Sequence, residues 1–572
     1  MTSDIKKNRR YLITSALPYV NGVKHLGNLV GSILPADVYA KFLRQSGKDV
    51  LFICGTDEHG TPAEIAAQEA KKDIKQYCFE VYNIQKNIYK KFGIEFDYFG
   101  RSSSPSNHEL TQKIFLQLNK NGCIVKKIIN QYYSVDDQRY LPDRYVEGQC
   151  PHCGFQKARG DQCDECGILL DPENLVNPYS SISGSFNIEL RQREHLFLDL
   201  NKHEKTLCSW IESRNEWPDV VKGIAKKWLK EGLKPRCITR DLKWGIKVPL
   251  QEYKNKVFYV WFDAPNAYIS MTKDWAFETG SSEKWKDWWL DESVYYTQFM
   301  AKDNIPFHTI FWPAVLFASN LGFKQVDYIK GFHWLTYEKG KFSTSQKRGI
   351  FTDVALSIYP SDYWRYYLIS NCPETSDSDF SFSLFATVVN KDLANILGNF
   401  LSRTLSLFKD FYNSCVPLML DNSQLDHELL RKASKVVYKI YDNLYALKFR
   451  SATQSLRALW ILGNEYITIK EPWVTYKNNQ DITTAVTLVH CLHLLRLFAI
   501  VSYPFIPDSS IKILNLLNDS NRELIKNTPF NKGLNFHYFE AGHFIQKPIK
   551  LFDKIESFRI EELTKEFSGN KS

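Results

Sequence analysis

The first hundred or so residues alternate short, wholly apolar runs with stretches of helical period, and this alternation constrains the fold more than any other feature of the chain. "YLITSAL" (11–17) reads as a strand, a helix follows from about His25, "KDVLFICG" (48–55) reads as a second strand, and a long helix runs through 64–93. Strands apolar on both faces must be covered on both faces, so the expected class is α/β, with a doubly wound parallel, Rossmann-like sheet. Pro35, inside the first helical stretch, should kink or restart it. Between 124 and 240 the pattern turns irregular, turn-rich and cysteine-bearing, which predicts an insertion. The α/β pattern is expected to resume with "KVFYVWFDAP" (256–265) and "YYTQFMAKDNIPFHTIFWPAVLF" (295–317), and from about Asn390 helical period predicts an all-α bundle.

A chain of 572 residues is too long for one core, and 44% hydrophobic with 24% charged residues is an ordinary enzyme composition. The formal charge of +9 permits a polyanionic partner without demanding one. The N-terminus, "MTSDIKKNRR", has neither a signal-peptide core nor an amphipathic leader, so a cytoplasmic location is expected. The most apolar later stretch (485–506) is broken by His490, His493 and Arg496, which favours a bundle helix over a membrane span. Four of twelve cysteines form "CPHCGFQKARGDQCDEC", two CxxC turns (Cys150, Cys153 and Cys163, Cys166) with nine residues between them. Four thiolates in tetrahedral array select zinc and leave no open coordination position, so the expected ion is structural.

Two further stretches suit a triphosphate. In "YVNGVKHLGNLVG" (19–31) a strand hands over to a helix through glycines, and His25 and Asn28, three apart on the first turn, can face one anion at the positive helix end. In "GKFSTSQKRG" (340–349) a Gly-flanked basic loop carries Lys341, Ser343, Thr344, Ser345, Lys347 and Arg348. Asp57, in "GTDEHG" at the C-terminal end of an apolar strand, stands where α/β sheets bind ligands and can pair with an ammonium group.

Taken with "ALPYVNGVKHLGN", "FICGTDEHGT", "GLKPRCITRDLKWG", "FYVWFDAP", "MAKDNIPFH", "GNFLSR" and "EPWV", these stretches resemble the class I aminoacyl-tRNA synthetases, whose signatures read His-Ile-Gly-His and Lys-Met-Ser-Lys-Ser. Within that class the chain is similar to the methionyl-tRNA synthetase family, in particular its eukaryotic cytosolic and archaeal branch. The resemblance implies ATP and L-methionine as substrates, Mg²⁺ with the triphosphate, and tRNA(Met) as partner. It implies catalytic roles for His25, Asn28, Lys341 and Arg240, and an ATP site of Tyr19, His25, Gly27, Asn28, Asp303, Lys341, Ser343 and Ser345. It implies a methionine pocket of Leu17, Tyr19, Asp57, Trp261, Ala264, Pro265, Tyr268, His308 and Trp312, and anticodon contacts by Asn399, Arg403 and Trp473. Aromatic rings suit an unbranched thioether, and an amide, a guanidinium and an indole suit unstacked bases.

Two positions depart from the family's signatures: Asn28 replaces a histidine, and Thr344 replaces the lysine credited with steadying the transferring phosphates, a deficit that Lys347 or Arg348 could fill by reaching back. Thr344 motivates an alternative, a catalytically weak paralogue that binds tRNA or acts as a scaffold. Synthetases for leucine, isoleucine or valine usually carry a larger editing insertion than 124–240 allows. The expected organisation is 1–123 and 241–325 as halves of the catalytic domain, 124–240 as the zinc-bearing insertion, 326–389 as a stem-contact region, 390–550 as the anticodon-binding bundle and 551–572 as a final helix, with a monomer as the working state.

Overall fold

A computed structural model of the chain describes residues 9–160, 163, 165, 166, 168, 170–342, 348–418, 424–520 and 522–569. Its central sheet has strands β1 (Arg10–Ser15), β2 (Asp49–Thr56), β3 (Tyr98–Arg101), β4 (Tyr295–Ala301) and β5 (Tyr328–Phe332) in the spatial order β5-β4-β1-β2-β3, with every neighbour parallel. Strand order reverses between β1 and β4, which leaves a crevice at their C-terminal ends. β1 stops at Ser15 rather than at residue 17, because Pro18 has no N–H to offer a ladder.

Helix α1 follows, as Leu26–Asn28, a π-helical stretch Leu29–Ile33 and an α-helical run Leu34–Gln45. Pro35 restarts it: the wider π turn ahead absorbs the N–H that proline lacks. The aromatic run 256–265, where the α/β pattern is expected to resume, is mostly helical. Only Val257–Phe258 is extended, paired with Thr239–Arg240, before the chain turns helical at Val260–Asp263 and Ala267–Glu278. A short apolar run fits a strand or a buried helix equally well by period, and here packing between α/β layers chose the helix.

The insertion opens as a long antiparallel ribbon, Ile124–Ser134 against Ile188–Leu198. Its far end carries a small sheet of Val146–Gln149 between Ala158–Arg159 and Val176–Ser180, closed over Tyr145, Val146, Cys150 and Cys163. The helix Asp219–Lys230 then returns to β5, where a Cβ at Gly331 would stand 2.9 Å from the Val221 side chain.

Helices Asn399–Tyr412, Gln424–Tyr445, Phe449–Lys470 and Pro507–Leu516 surround Asp481–Ser502, which has the length and apolarity of a membrane span but is buried in the bundle. After Leu516 the expected helical period fails. Pro529, Gly533, Gly542 and Pro548 interrupt it, and two 3-10 turns (Arg522–Asn527, Phe530–Leu534) precede the final helix Ser557–Glu566. This irregular stretch is what the polar residues of the apolar helix hold. His493 Nε2 accepts the Tyr538 and Phe539 N–H groups at 3.1 Å, and Arg496 donates to Asp519 at 2.8 Å and to the Lys532 carbonyl at 3.0 Å.

One buried hub joins the parts. Arg365, 0% exposed, donates to Asp37 at 2.8 Å and to the carbonyls of Pro504 (2.8 Å), Phe505 (3.0 Å) and Phe92 (3.0 Å). Asp37 also takes Lys41 Nζ at 2.6 Å and the Glu95 N–H at 2.8 Å. Burial pushes the Asp37 carboxyl up, but Lys41 and Arg365 outweigh it and hold the group below its ordinary value. Arg365→Met should therefore lower the apparent unfolding free energy by about 3–5 kcal/mol, read as a fall in the urea midpoint, because four acceptors lose their buried donor.

Candidate active site

The crevice between β1 and β4 opens into a cavity of ≈ 420 Å³. Leu17, Tyr19, Lys24, His25, Gly27 and Asn28 line it from the turn after β1 and the first turn of α1. Asp303 and Asn304 line it from the turn after β4, and Lys341 and Phe342 from the second signature stretch. His25 caps α1: its Nδ1 accepts the Asn28 N–H at 3.3 Å, while Asn28 Oδ1 accepts the His25 N–H at 3.3 Å. Nδ1 is thus an acceptor, the proton sits on Nε2, and the Asn28 amide nitrogen stays available as a donor. Burial, reinforced by the Lys24 charge, lowers His25 to about 3, so the ring is a neutral donor near pH 7. Gly27 is required beneath it, since a Cβ there would stand 2.9 Å from the ring.

The two signature stretches meet here. Phe342 stacks on His25 with centroids 4.4 Å apart and planes within 5°, the Leu26 N–H reaches the Ile350 carbonyl at 3.2 Å, and Thr352 holds the Lys24 carbonyl through its N–H (2.8 Å) and hydroxyl (2.9 Å). Lys341 donates to the Glu165 carbonyl at 3.2 Å, touching the cysteine-rich loop of the insertion. Ser343, Thr344, Ser345 and Lys347 lie outside the described residues. Arg348 does not reach back toward the cavity: its guanidinium serves the carbonyls of Tyr337 (3.0 Å) and Glu338 (3.1 Å).

On the amino-acid side, Asp57 is 5% exposed and its Oδ1 has no hydrogen-bond partner among the described residues. Burial, with the nearby Asp263 charge, raises its carboxyl well above the ordinary value. Its backbone bonds hold the Tyr19 turn, through the Asp57 N–H to Pro18 (2.9 Å) and the Val20 N–H to Asp57 (3.1 Å). His308 sits in a π-helical turn, Phe307–Phe311. Its Nδ1 faces the Asn304 carbonyl at 3.1 Å and its Nε2 faces the Tyr268 hydroxyl at 3.4 Å, and burial lowers it to about 4. The neutral ring therefore donates from Nδ1 and accepts from tyrosine. Trp312 lies 5.7 Å from the Tyr268 ring and donates to Asn266 at 3.1 Å. Trp261 packs on Phe307 at 3.9 Å and on Tyr259 at 5.0 Å. Ala264 and Pro265 are buried in the turn Ala264–Asn266, and of the expected pocket only Leu17 and Tyr19 line the open cavity. Arg240 lies 3.8 Å from the centre of the Tyr259 ring, which packs on Trp261, and donates to the Thr239 carbonyl at 3.0 Å.

Sequence reasoning passed over Lys24, Asn304, Phe307 and the buried contact between His59 Nδ1 and Asp263. Lys24 lay inside a quoted motif and carried a readable signal, a cation one residue before the helix cap. The π turns carry none in sequence, although one follows His25, one holds His308 and one, Val389–Gly398, ends before Asn399.

The four cysteine sulfurs lie within 4.8 Å of one another, with Cys150–Cys166 at 3.9 Å and Cys153–Cys163 at 3.6 Å. Sulfurs bound to one ion at about 2.3 Å sit about 3.8 Å apart in a tetrahedron, so donor type and spacing both fit zinc. In the bundle, the Arg403 guanidinium lies 5.1 Å from the Trp473 ring, and exposed Asn399 stands one turn before Arg403.

Comparison with known proteins gives a consistent result. The family model described as "tRNA synthetases class I (M)" matches residues 11–405, and that of the "Anticodon binding domain of methionyl tRNA ligase" matches 416–572. Methionine–tRNA ligase 1 of Acaryochloris marina is 50% identical over 98% of this chain and 100% of its own length. The methionine–tRNA ligase of Hyphomonas neptunium is 48% identical over 99% and 100%. A structure of Mycobacterium tuberculosis methionyl-tRNA synthetase in complex with methionyl-adenylate shares the fold, with a TM-score of 0.77 at 24% identity over 95% of this chain and 99% of that one.

Two outcomes follow from this geometry. His25 and His308 lie below the ordinary 6.5 in the folded chain, so the unfolded chain binds protons first. Their contribution is complete above pH 6.5 and is lost as pH falls toward about 4. The urea midpoint should fall on acidification through this window, and His308→Gln should remove part of the fall. Elemental analysis should find about one zinc per chain, and Cys163→Ser should strip most of it while the far-UV spectrum of the main sheet persists.

Proposed function

The chain belongs to the methionyl-tRNA synthetase family of class I tRNA synthetases, and from that membership we propose that it joins L-methionine to the 3′ end of tRNA(Met) with ATP. The observation that carries this reading is one cavity lined by both signature stretches, beside an aromatic cluster that holds a carboxylate with a free buried oxygen. In this reading Asp57 takes the methionine ammonium, and Trp261, Tyr268, His308 and Trp312 enclose the thioether, with Leu17, Tyr19, Ala264 and Pro265 completing the pocket. A methionine carboxylate oxygen attacks the α-phosphorus of ATP and pyrophosphate leaves. A ribose hydroxyl of the tRNA then attacks the carbonyl carbon of the adenylate and releases AMP.

The protein contributes position and charge. His25 Nε2–H and the Asn28 amide donate to phosphate oxygens at the positive end of α1, and Asp303 holds the adenosine. Lys341 faces the triphosphate, whose Mg²⁺ would supply further charge neutralisation, and Ser343 and Ser345 are assigned to the same site from the signature. Arg240 faces the reacting carboxylate. Asn399, Arg403 and Trp473 read the anticodon, a role supported by the pairing of the last two. We assign the enzyme to the cytoplasm as a monomer. The relatives named above are bacterial, so the eukaryotic cytosolic and archaeal affinity expected from sequence gains no support and is not carried forward.

The test is methionine-dependent exchange of labelled pyrophosphate into ATP, run across a panel of amino acids. Exchange with methionine alone is expected; no exchange, or exchange with leucine instead, would remove the reading. Asp57→Asn should raise the KM for methionine by about 30-fold or more and leave that for ATP nearly unchanged, since a buried charge partner is worth at least about 2 kcal/mol.

A further inference from the structure

Among the described cations that line the cavity, Lys24 and Lys341 occupy different depths. Lys341 is tethered at the insertion by the Glu165 carbonyl, whereas Lys24 lies close enough to Asp57 for that carboxylate to act on its charge. The Lys24 position is built rather than incidental. Its carbonyl is held twice by Thr352, and its Nζ donates to Asn21 Oδ1 at 2.5 Å across a turn that Gly22 makes at φ +119°. The Lys24 side chain lines the cavity beside His25 and Asn28, and its charge is felt by Asp57, which takes the amino group of methionine in the reading above, and by His25 at the first turn of α1, which takes phosphate. In that reading the carboxylate meets the α-phosphorus between these two groups, where negative charge concentrates in the transition state.

We propose that Lys24 is a catalytic residue of the activation step, its ammonium touching the oxygens shared between the methionine carboxylate and the α-phosphate. The proposal rests on the function assigned above. Nothing is transferred through Lys24: the carboxylate oxygen–phosphorus bond forms, the bond to pyrophosphate breaks, and the lysine keeps its proton throughout. Burial lowers Lys24 to about 7, a fall resisted by Asp57, and phosphate beside it would favour the charged form. The other titratable groups that line the same cavity are His25 on its own turn, Tyr19, Tyr89, Asp303, His333 and Lys341.

The experiment measures exchange kinetics for the full chain and for Lys24→Met and Lys24→Arg. Lys24→Met should lose about 100-fold in kcat, the scale of one lost transition-state donor, with the KM for methionine changed less than about threefold. In the wild type, kcat/KM for ATP should fall as pH rises through about 7, because the acting form is protonated, and in Lys24→Arg this limb should disappear. A merely structural role would lower the urea midpoint in both variants and leave the limb in place. A kcat for Lys24→Met within about threefold of wild type, or a limb that persists in Lys24→Arg, overturns the proposal while leaving the function standing. Absence of exchange in the wild type overturns both.

Discussion

The buried contact between Arg365 and Asp37 is the interaction on which the rest of the architecture depends. Asp37 lies on α1, the helix whose first turn carries His25 and Asn28, and Arg365 lies on the helix Ser361–Ser370. The same guanidinium takes two carbonyls from the turn after the central bundle helix. Charges with no water access are tolerated only when every donor and acceptor is satisfied, and here they are supplied from separate stretches of chain. The orientation of α1 is therefore set by the catalytic sheet, the following helices and the bundle together, and the cavity inherits that orientation.

Burial also determines the electrostatics of the site. His25 and His308 are kept neutral, the Asp57 carboxyl is raised and Lys24 is lowered, all chiefly by removal from water. A site in this condition answers to its ligands: an ammonium next to Asp57 favours the carboxylate, and phosphate next to Lys24 favours the ammonium. In the proposed reading the charge of each group would grow as its partner binds, while the neutral histidines would act as directional hydrogen-bond groups.

The insertion touches this site through the Lys341 contact with a carbonyl between two cysteines. An ion held by the four cysteines would rigidify this loop and fix where the carbonyl points, which would give a structural metal a bearing on the second signature stretch without any place in the chemistry.

How far the molecule was legible in its sequence depended on how local each rule was. Unbroken apolar strands indicated a parallel sheet, the paired CxxC turns indicated four sulfurs in one cluster, and Gly27 beside His25 marked a backbone that tolerates no side chain. Each of these is decided within a few residues by sterics, ligand spacing or hydrogen-bond supply. Whether 256–265 became strand or helix, how the stretch after Leu516 docked on His493 and Arg496, which nitrogen of His25 carries the proton, and the displaced ionisation of Asp57 and Lys24 were decided only by the tertiary structure. Burial and long-range hydrogen bonding are sums over the whole fold, and no window of sequence contains them.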